Sequence, residues 1–212
     1  MGKLFTEFVG TFFLVLVIGL TVVQGSASAP IAIGAMLTAL VYLGGPISGA
    51  HYNPAISLAF LLRGTLPRGQ FLPYVTAQLL GATSAAAAID AMTGQTFAPA
   101  PSPAASTTAI LLSEGFFTFV LALVILNVAI SKRSKGNQYY GLAIGLVVMA
   151  GAFAAGPVSG GALNPAVGAG PTIVNALLGG GEWGNLWYYL VGPVLGAVAA
   201  VFAFDVQERS AA

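Results

Sequence analysis

Two stretches of this chain are nearly the same. Gly-Pro-Ile-Ser-Gly-Ala-His-Tyr-Asn-Pro-Ala-Ile occupies residues 45–56, and Gly-Pro-Val-Ser-Gly-Gly-Ala-Leu-Asn-Pro-Ala-Val occupies residues 156–167, with no gap between the copies. Asn is a preferred helix N-cap, and Pro suits the first helical position because it has no amide hydrogen to leave unpaired there. Asn53-Pro54 and Asn164-Pro165 therefore each start a helix. In a soluble chain such a start needs no function. Here the apolar pieces that follow, 54–62 and 165–178, fall short of the about 20 residues needed to cross a hydrocarbon core of about 30 Å. They read as half-spans or re-entrant segments. Non-helical backbone at membrane depth is tolerated only where it is buried in protein or lines a wet cavity, so two such breaks imply a shared cavity near the midplane.

The surroundings of both breaks are membrane-like. The chain is 57% hydrophobic and 6% charged, with a mean hydropathy of +0.90, far from the roughly 25% charged residues of soluble domains. Six long apolar candidates lie at about 4–23, 31–47, 70–92, 109–130, 138–156 and 186–205. The fold class is an all-α integral membrane protein with six transmembrane helices and two re-entrant half-helices, in one domain over residues 1–212. Ala27-Ser28-Ala29 resembles a signal-peptidase site, but the preceding run is too long for a simple leader, carries Glu7 and has a counterpart in mid-chain. A net charge of +1 offers no basic face for nucleic acid, and the absence of Cys removes disulfides, thiolate metal sites and a cysteine nucleophile. No cofactor or metal is expected.

The halves repeat beyond the Asn-Pro segments. Thr6-Glu7-Phe8 is echoed by Ser113-Glu114-Gly115, Leu80-Gly81-Ala82 by Leu195-Gly196-Ala197, and Asp90 by Asp205. The repeats cover about 1–92 and 109–205, joined by an irregular Ala/Pro/Ser/Thr linker at 93–108. Three spans per repeat is an odd number, so the second copy is inverted relative to the first. With six spans and both termini cytoplasmic, all seven basic residues (Lys3, Arg63, Arg68, Lys132, Arg133, Lys135 and Arg209) fall on the inside, as the positive-inside rule requires. The linker is then external and the location is the cell (plasma or inner) membrane.

The expected cavity has a definite chemistry. The lead-ins Gly49-Ala50-His51-Tyr52 and Gly160-Gly161-Ala162-Leu163 supply carbonyl acceptors, with Gly49, Ala50, His51, Gly160 and Ala162 as the candidates. The Asn53 and Asn164 amides supply donors at the centre. Both half-helices aim their positive N-terminal ends, each equivalent to roughly half a charge, at one point. That disfavours a cation and suits a small neutral solute that both donates and accepts hydrogen bonds.

These residues resemble the aquaporin and aquaglyceroporin family, the major intrinsic proteins, over essentially the whole chain. The resemblance rests on the two boxes Asn53-Pro54-Ala55 and Asn164-Pro165-Ala166, the paired Gly-Pro-hydrophobic-Ser-Gly lead-ins, Glu7 and Glu114, and Gly192-Pro193. It implies a pore in each protomer of a homotetramer in the lipid bilayer. It also implies that Glu7 and Glu114 accept hydrogen bonds from the re-entrant loops, although an intramembrane carboxylate is by default a functional candidate. The family usually has Arg directly after the second box, where this chain has Val167; the other constriction positions are Ile33, Ala152 and Gly161. The expected filter is wider and largely apolar, shifting selectivity from water toward larger uncharged molecules. Glycerol channels of the family usually have Asp where Gly168 stands, and Tyr189-Leu190 replaces the aromatic-Trp pair of water channels. Loss of the Arg resembles bacterial aquaglyceroporins linked to arsenic, whose solutes are uncharged arsenicals.

Other readings stay open at this level. An ion-coupled secondary transporter also uses inverted repeats and broken helices, and an apolar ring that dewets would make a closed structural homologue. An enzyme is disfavoured, because one His, no Cys and few acids assemble no catalytic group. His51 is expected to line the inner vestibule, and Gly141, Gly145, Gly192 and Gly196 to serve close helix packing. Phe and Tyr residues in the spans are expected to face lipid or the interface, with Trp183 and Trp187 in an external aromatic belt.

Overall fold

The computed structural model describes residues 1–209; residues 210–212, at the end of the expected domain, lie outside the described residues. Eight α-helices follow in order: α1 Gly2–Val23, α2 Ala29–Ser48, α3 Pro54–Leu62, α4 Arg68–Thr93, α5 Thr107–Ile125, α6 Tyr140–Ser159, α7 Pro165–Leu178 and α8 Leu186–Arg209. A π turn at Leu126–Ile130 extends α5, and a 3-10 turn at Lys132–Ser134 follows it. Six of these helices are long and apolar enough to cross a membrane, α5 being counted with its π turn. The described residues contain no strand.

Local chemistry places the boundaries. Gly49 and Gly160 stop α2 and α6 with φ of 92° and 90°, a left-handed turn that only Gly adopts without a Cβ penalty. Asn53 and Asn164 then open α3 and α7, each side chain accepting a hydrogen bond from the amide two residues on. The linker after Gly94 is irregular as expected, but it does not hang free: the Ser102 amide donates to the Val158 carbonyl at 3.0 Å.

The two halves pack alike. Helix α1 lies against α4 and α5 against α8, while α2 and α6 meet across the halves. Each half-helix docks into the other repeat, α3 against α8 and α7 against α4. At the positively charged end, Arg63 of the α3 C-cap forms an ion pair with Asp205 of α8, and its guanidinium lies 5.0 Å from the Phe204 ring centre.

Close approach of the long helices depends on equivalent glycines. A Cβ on Gly81 would stand 3.1 Å from the Phe12 amide nitrogen and closer still to the Phe8 carbonyl; on Gly196 it would stand 2.8 Å from the Phe119 nitrogen and closer still to the Gly115 carbonyl. Backbone meets backbone at both sites, the small-residue packing that lipid-immersed helices favour. The expectation for tyrosines needs correction. Tyr74 and Tyr189 are buried rather than lipid-facing, because their hydroxyls donate to the Ser48 and Ser159 carbonyls at 2.8 and 2.6 Å. These are the C-terminal carbonyls of α2 and α6, which have no partner within their helices.

Gly81→Leu should therefore destabilise the bundle by at least the about 1–3 kcal/mol typical of overpacking, whereas Gly69→Leu, with nothing within 4 Å of its Cβ position, should not. Thermal unfolding of both variants in detergent checks this, with a clear fall in midpoint expected only for Gly81→Leu.

Candidate functional site

The loops before the half-helices are held by two buried carboxylates. Glu7 Oε1 accepts from the Ser48 hydroxyl at 2.7 Å and the His51 amide at 3.0 Å, while Oε2 accepts from the Tyr52 amide at 2.7 Å and Gln78 Nε2 at 2.8 Å. Glu114 repeats the pattern on Ser159 at 2.7 Å, Ala162 at 3.0 Å and Leu163 at 2.6 Å. Both acids are fully buried, and charge-assisted hydrogen bonds of this kind are roughly twice as strong as neutral ones. They hold an unfavourable backbone: Ala50, Tyr52 and Leu163 are non-glycine residues at φ of 51°, 48° and 52°, a left-handed conformation costing roughly 1–2 kcal/mol each.

The two Asn side chains are stitched crosswise. Asn53 Oδ1 accepts from its own helix at Ala55 (2.9 Å), and its Nδ2 donates to the Leu163 carbonyl of the other repeat (2.9 Å). Asn164 likewise accepts from Ala166 (2.9 Å) and donates to the Tyr52 carbonyl (2.8 Å). Each Asn thus caps its own half-helix and satisfies the carbonyl just before the opposite cap. An amide nitrogen carries two hydrogens, so one on each Asn is left over. Pro54, Ala55, Pro165 and Ala166 are buried behind the caps, in the first turns of α3 and α7.

A cavity of about 410 Å³ runs past both caps. Its wall includes Asn53 and Asn164, all four expected constriction residues (Ile33, Ala152, Gly161 and Val167), and four of the five expected carbonyl residues, Ala50, His51, Gly160 and Ala162. Gly49 is the exception. It ends α2 as Gly160 ends α6, their amides donating to Gly45 and Gly156 at 3.1 and 3.0 Å, but no linker segment closes over it as Ala100 closes over Gly160. No Lys, Arg, Asp or Glu is among the described lining residues.

Several contributors were not legible in the sequence. Tyr52 and Leu163 supply the carbonyls that receive the Asn amides, a role set by the fold rather than by their side chains. Phe97, Ala98, Pro99 and Ala100 of the linker also line the cavity, where a Cβ on Gly160 would stand 2.9 Å from the Ala100 nitrogen. A low-complexity loop carries no signal for that contact. His51 is buried on the wall, with Nδ1 3.0 Å from the Ser57 hydroxyl and its ring 4.1 Å from that of Phe60. Ser57 in turn accepts from Gln78 Nε2 at 2.9 Å.

The family model "Major intrinsic protein" matches residues 1–204. The chain belongs to the major intrinsic protein family. It is 38% identical to aquaporin NIP1-1 of Zea mays, over 96% of this chain and 74% of that protein. It is 35% identical to nodulin-26 of Glycine max, over 97% and 78% of the two chains. The aquaglyceroporin structure from Plasmodium falciparum superposes with a TM-score of 0.86 at 23% identity, over 96% of this chain and 94% of that one, a likeness of fold. As a major intrinsic protein the chain is a multi-pass membrane channel, not an enzyme.

Removing a carboxylate should undo the loop it holds. Glu114→Ala strands the Ala162 and Leu163 amides, and at about 1–3 kcal/mol for each buried unsatisfied donor the variant should show a lowered melting midpoint or fail to stay monodisperse in detergent. Glu182→Ala, at an exposed loop position, should match wild type in the same measurement.

Proposed function

We propose that the cavity is a passive conduit for small uncharged solutes: water, glycerol-like polyols and undissociated metalloid acids such as arsenite. The observation that carries this is a wall that includes Ile33, Ala152, Gly161 and Val167 and, among the described lining residues, no charged side chain. An Arg at position 167 would bring five N–H donors and a fixed charge; Val brings neither, and Ala152 and Gly161 leave room beside it. Water gains little beside these four residues, so passage depends on width and on the polar groups below them. A polyol or an undissociated oxyacid has an apolar or neutral face for the four and hydroxyls for the Asn amides and the loop carbonyls. Asn53, Asn164 and the carbonyls of Ala50, His51, Gly160 and Ala162 are assigned that polar role, and Glu7 and Glu114 the support of their loops.

The surroundings follow from the same reading. All basic residues fall at one side if both termini are cytoplasmic, which makes the 93–108 linker external in a plasma or inner membrane. A homotetramer with one conduit per protomer is the proposed assembly. An ion-coupled transporter is less well supported, since coupling needs titratable groups that move between states, and both deep acids are engaged in loop clamps.

The test is stopped-flow flux through reconstituted protein for water, glycerol, urea and arsenite, comparing wild type with Val167→Arg. Wild type should pass glycerol-sized solutes with flux linear in the gradient. The variant should slow them roughly tenfold, equivalent to about 1.4 kcal/mol of added barrier. Equal glycerol flux in both proteins refutes the filter assignment. Saturable flux that follows a proton gradient refutes the channel reading, and no flux of any solute indicates a sealed homologue.

A further inference from the structure

A second concavity lies on the outside of the bundle, away from the conduit. It is an open groove of about 500 Å³ between α1 and α4, lined by Leu4 and Phe8 on one side and by Leu72, Thr76, Ala77 and Leu80 on the other. The two helices run parallel, because Gly81 meets Phe8 and Phe12 while Gly19 meets Ile89. Their N-termini therefore share one end of the groove, and that end is basic. On α4, Arg68, Leu72, Thr76 and Leu80 follow one another at i, i+4 spacing, which stacks them along one helix face. On α1, Lys3 directly precedes the groove residue Leu4. Both cations are exposed, and neither takes part in an ion pair among the described residues, where Arg63 and Arg133 hold the acids Asp205 and Glu208.

We infer that this groove binds an anionic phospholipid, its phosphate-bearing headgroup held by Lys3 and Arg68 and one acyl chain laid along the α1/α4 furrow. The dimensions fit. From Arg68 to Leu80 the stripe rises about 18 Å at 1.5 Å per residue, close to the about 15 Å of one leaflet of a hydrocarbon core about 30 Å thick. Basic pockets between transmembrane helices are a recognised setting for anionic headgroups. The positive-inside rule accounts for cations at this end of the protein, but not for one of them heading an apolar stripe.

The other repeat lacks the two cations. The positions answering to Lys3 and Arg68 are Ile110 and Trp183, and those answering to Leu72-Pro73 are Trp187-Tyr188, whose rings lie 4.2 Å apart. Both charges are lost, and aromatic rings stand where Leu72 and Pro73 line the groove, although Gly115 stands where Phe8 does. The pair of cations is thus a property of the first repeat alone, and the site is independent of the solute assigned to the conduit.

Native mass spectrometry of the full-length protein in detergent, titrated with phosphatidylglycerol or phosphatidylcholine, tests the site. Wild type should retain phosphatidylglycerol preferentially. Lys3→Gln with Arg68→Gln should weaken that adduct roughly 25-fold, from about a factor of five per basic side chain at a membrane surface, and leave phosphatidylcholine binding unchanged. Leu72→Trp, which copies the aromatic of the other repeat, should remove the adduct with both charges in place. Solute flux equal to wild type in each variant verifies folding. The assignment is overturned if the double variant holds phosphatidylglycerol as wild type does, if Leu72→Trp leaves the adduct intact, or if Leu72→Trp changes the oligomeric mass, which would make the groove a contact between copies of the chain.

Discussion

The exchange of hydrogen bonds between the two Asn caps is the interaction on which the rest of the structure depends. A chain that breaks its helices at membrane depth exposes amides and carbonyls where no lipid group can satisfy them, at a cost of several kcal/mol each. Here the two breaks are joined: Asn53 donates to the Leu163 carbonyl, which also accepts from Thr118 of its own repeat, and Asn164 donates to the Tyr52 carbonyl. Each half-helix is capped by its own Asn, and the amide nitrogen of that Asn reaches across to the other repeat. The docking of α3 against α8 and of α7 against α4 is the packing consequence of the same exchange, and the cavity is what the crossed caps leave beside them.

The buried acids act one layer further out. Glu7 and Glu114 bind the amides that lead into the caps, and those amides belong to segments with left-handed residues on both sides of the molecule. A flexible loop would relax out of that conformation. Two carboxylate oxygens, each accepting from the lead-in, make the relaxation cost more than the strain it relieves. This explains why intramembrane acids that carry no transported charge sit at equivalent places in spans one and four.

Much of this was legible because it rests on local rules repeated twice. The Asn-Pro starts, the glycine stops and the short lengths of 54–62 and 165–178 each follow from chemistry within a few residues, and α3 and α7 occupy those ranges. Position along the cavity was less legible. Gly49 and Gly160 are equivalent in sequence, yet only Gly160 reaches the wall, because the linker at Ala100 folds against the second lead-in and nothing answers to it on the first. Tyr74 and Tyr189 looked like interfacial residues. Their burial is decided by the unpaired ends of α2 and α6, which lie far from them in sequence.

One difference between the repeats falls on the proposed conduit. The Gln78, Ser57 and His51 chain of the first half corresponds to Pro193, Gly168 and Ala162 in the second, so the polar side chain that His51 presents on the wall is answered by Ala162. Val167 is a further apolar residue of that wall. A cation arriving there meets no acceptor side chain to replace its water and then faces two half-helix N-termini, each equivalent to roughly half a positive charge. In the absence of an Arg, exclusion of cations therefore falls to backbone dipoles and desolvation, neither of which penalises a neutral hydroxylated solute to the same degree. The proposed filter, without a fixed charge, is in this way still compatible with selectivity for uncharged molecules, and on that reading discrimination among them becomes a matter of width.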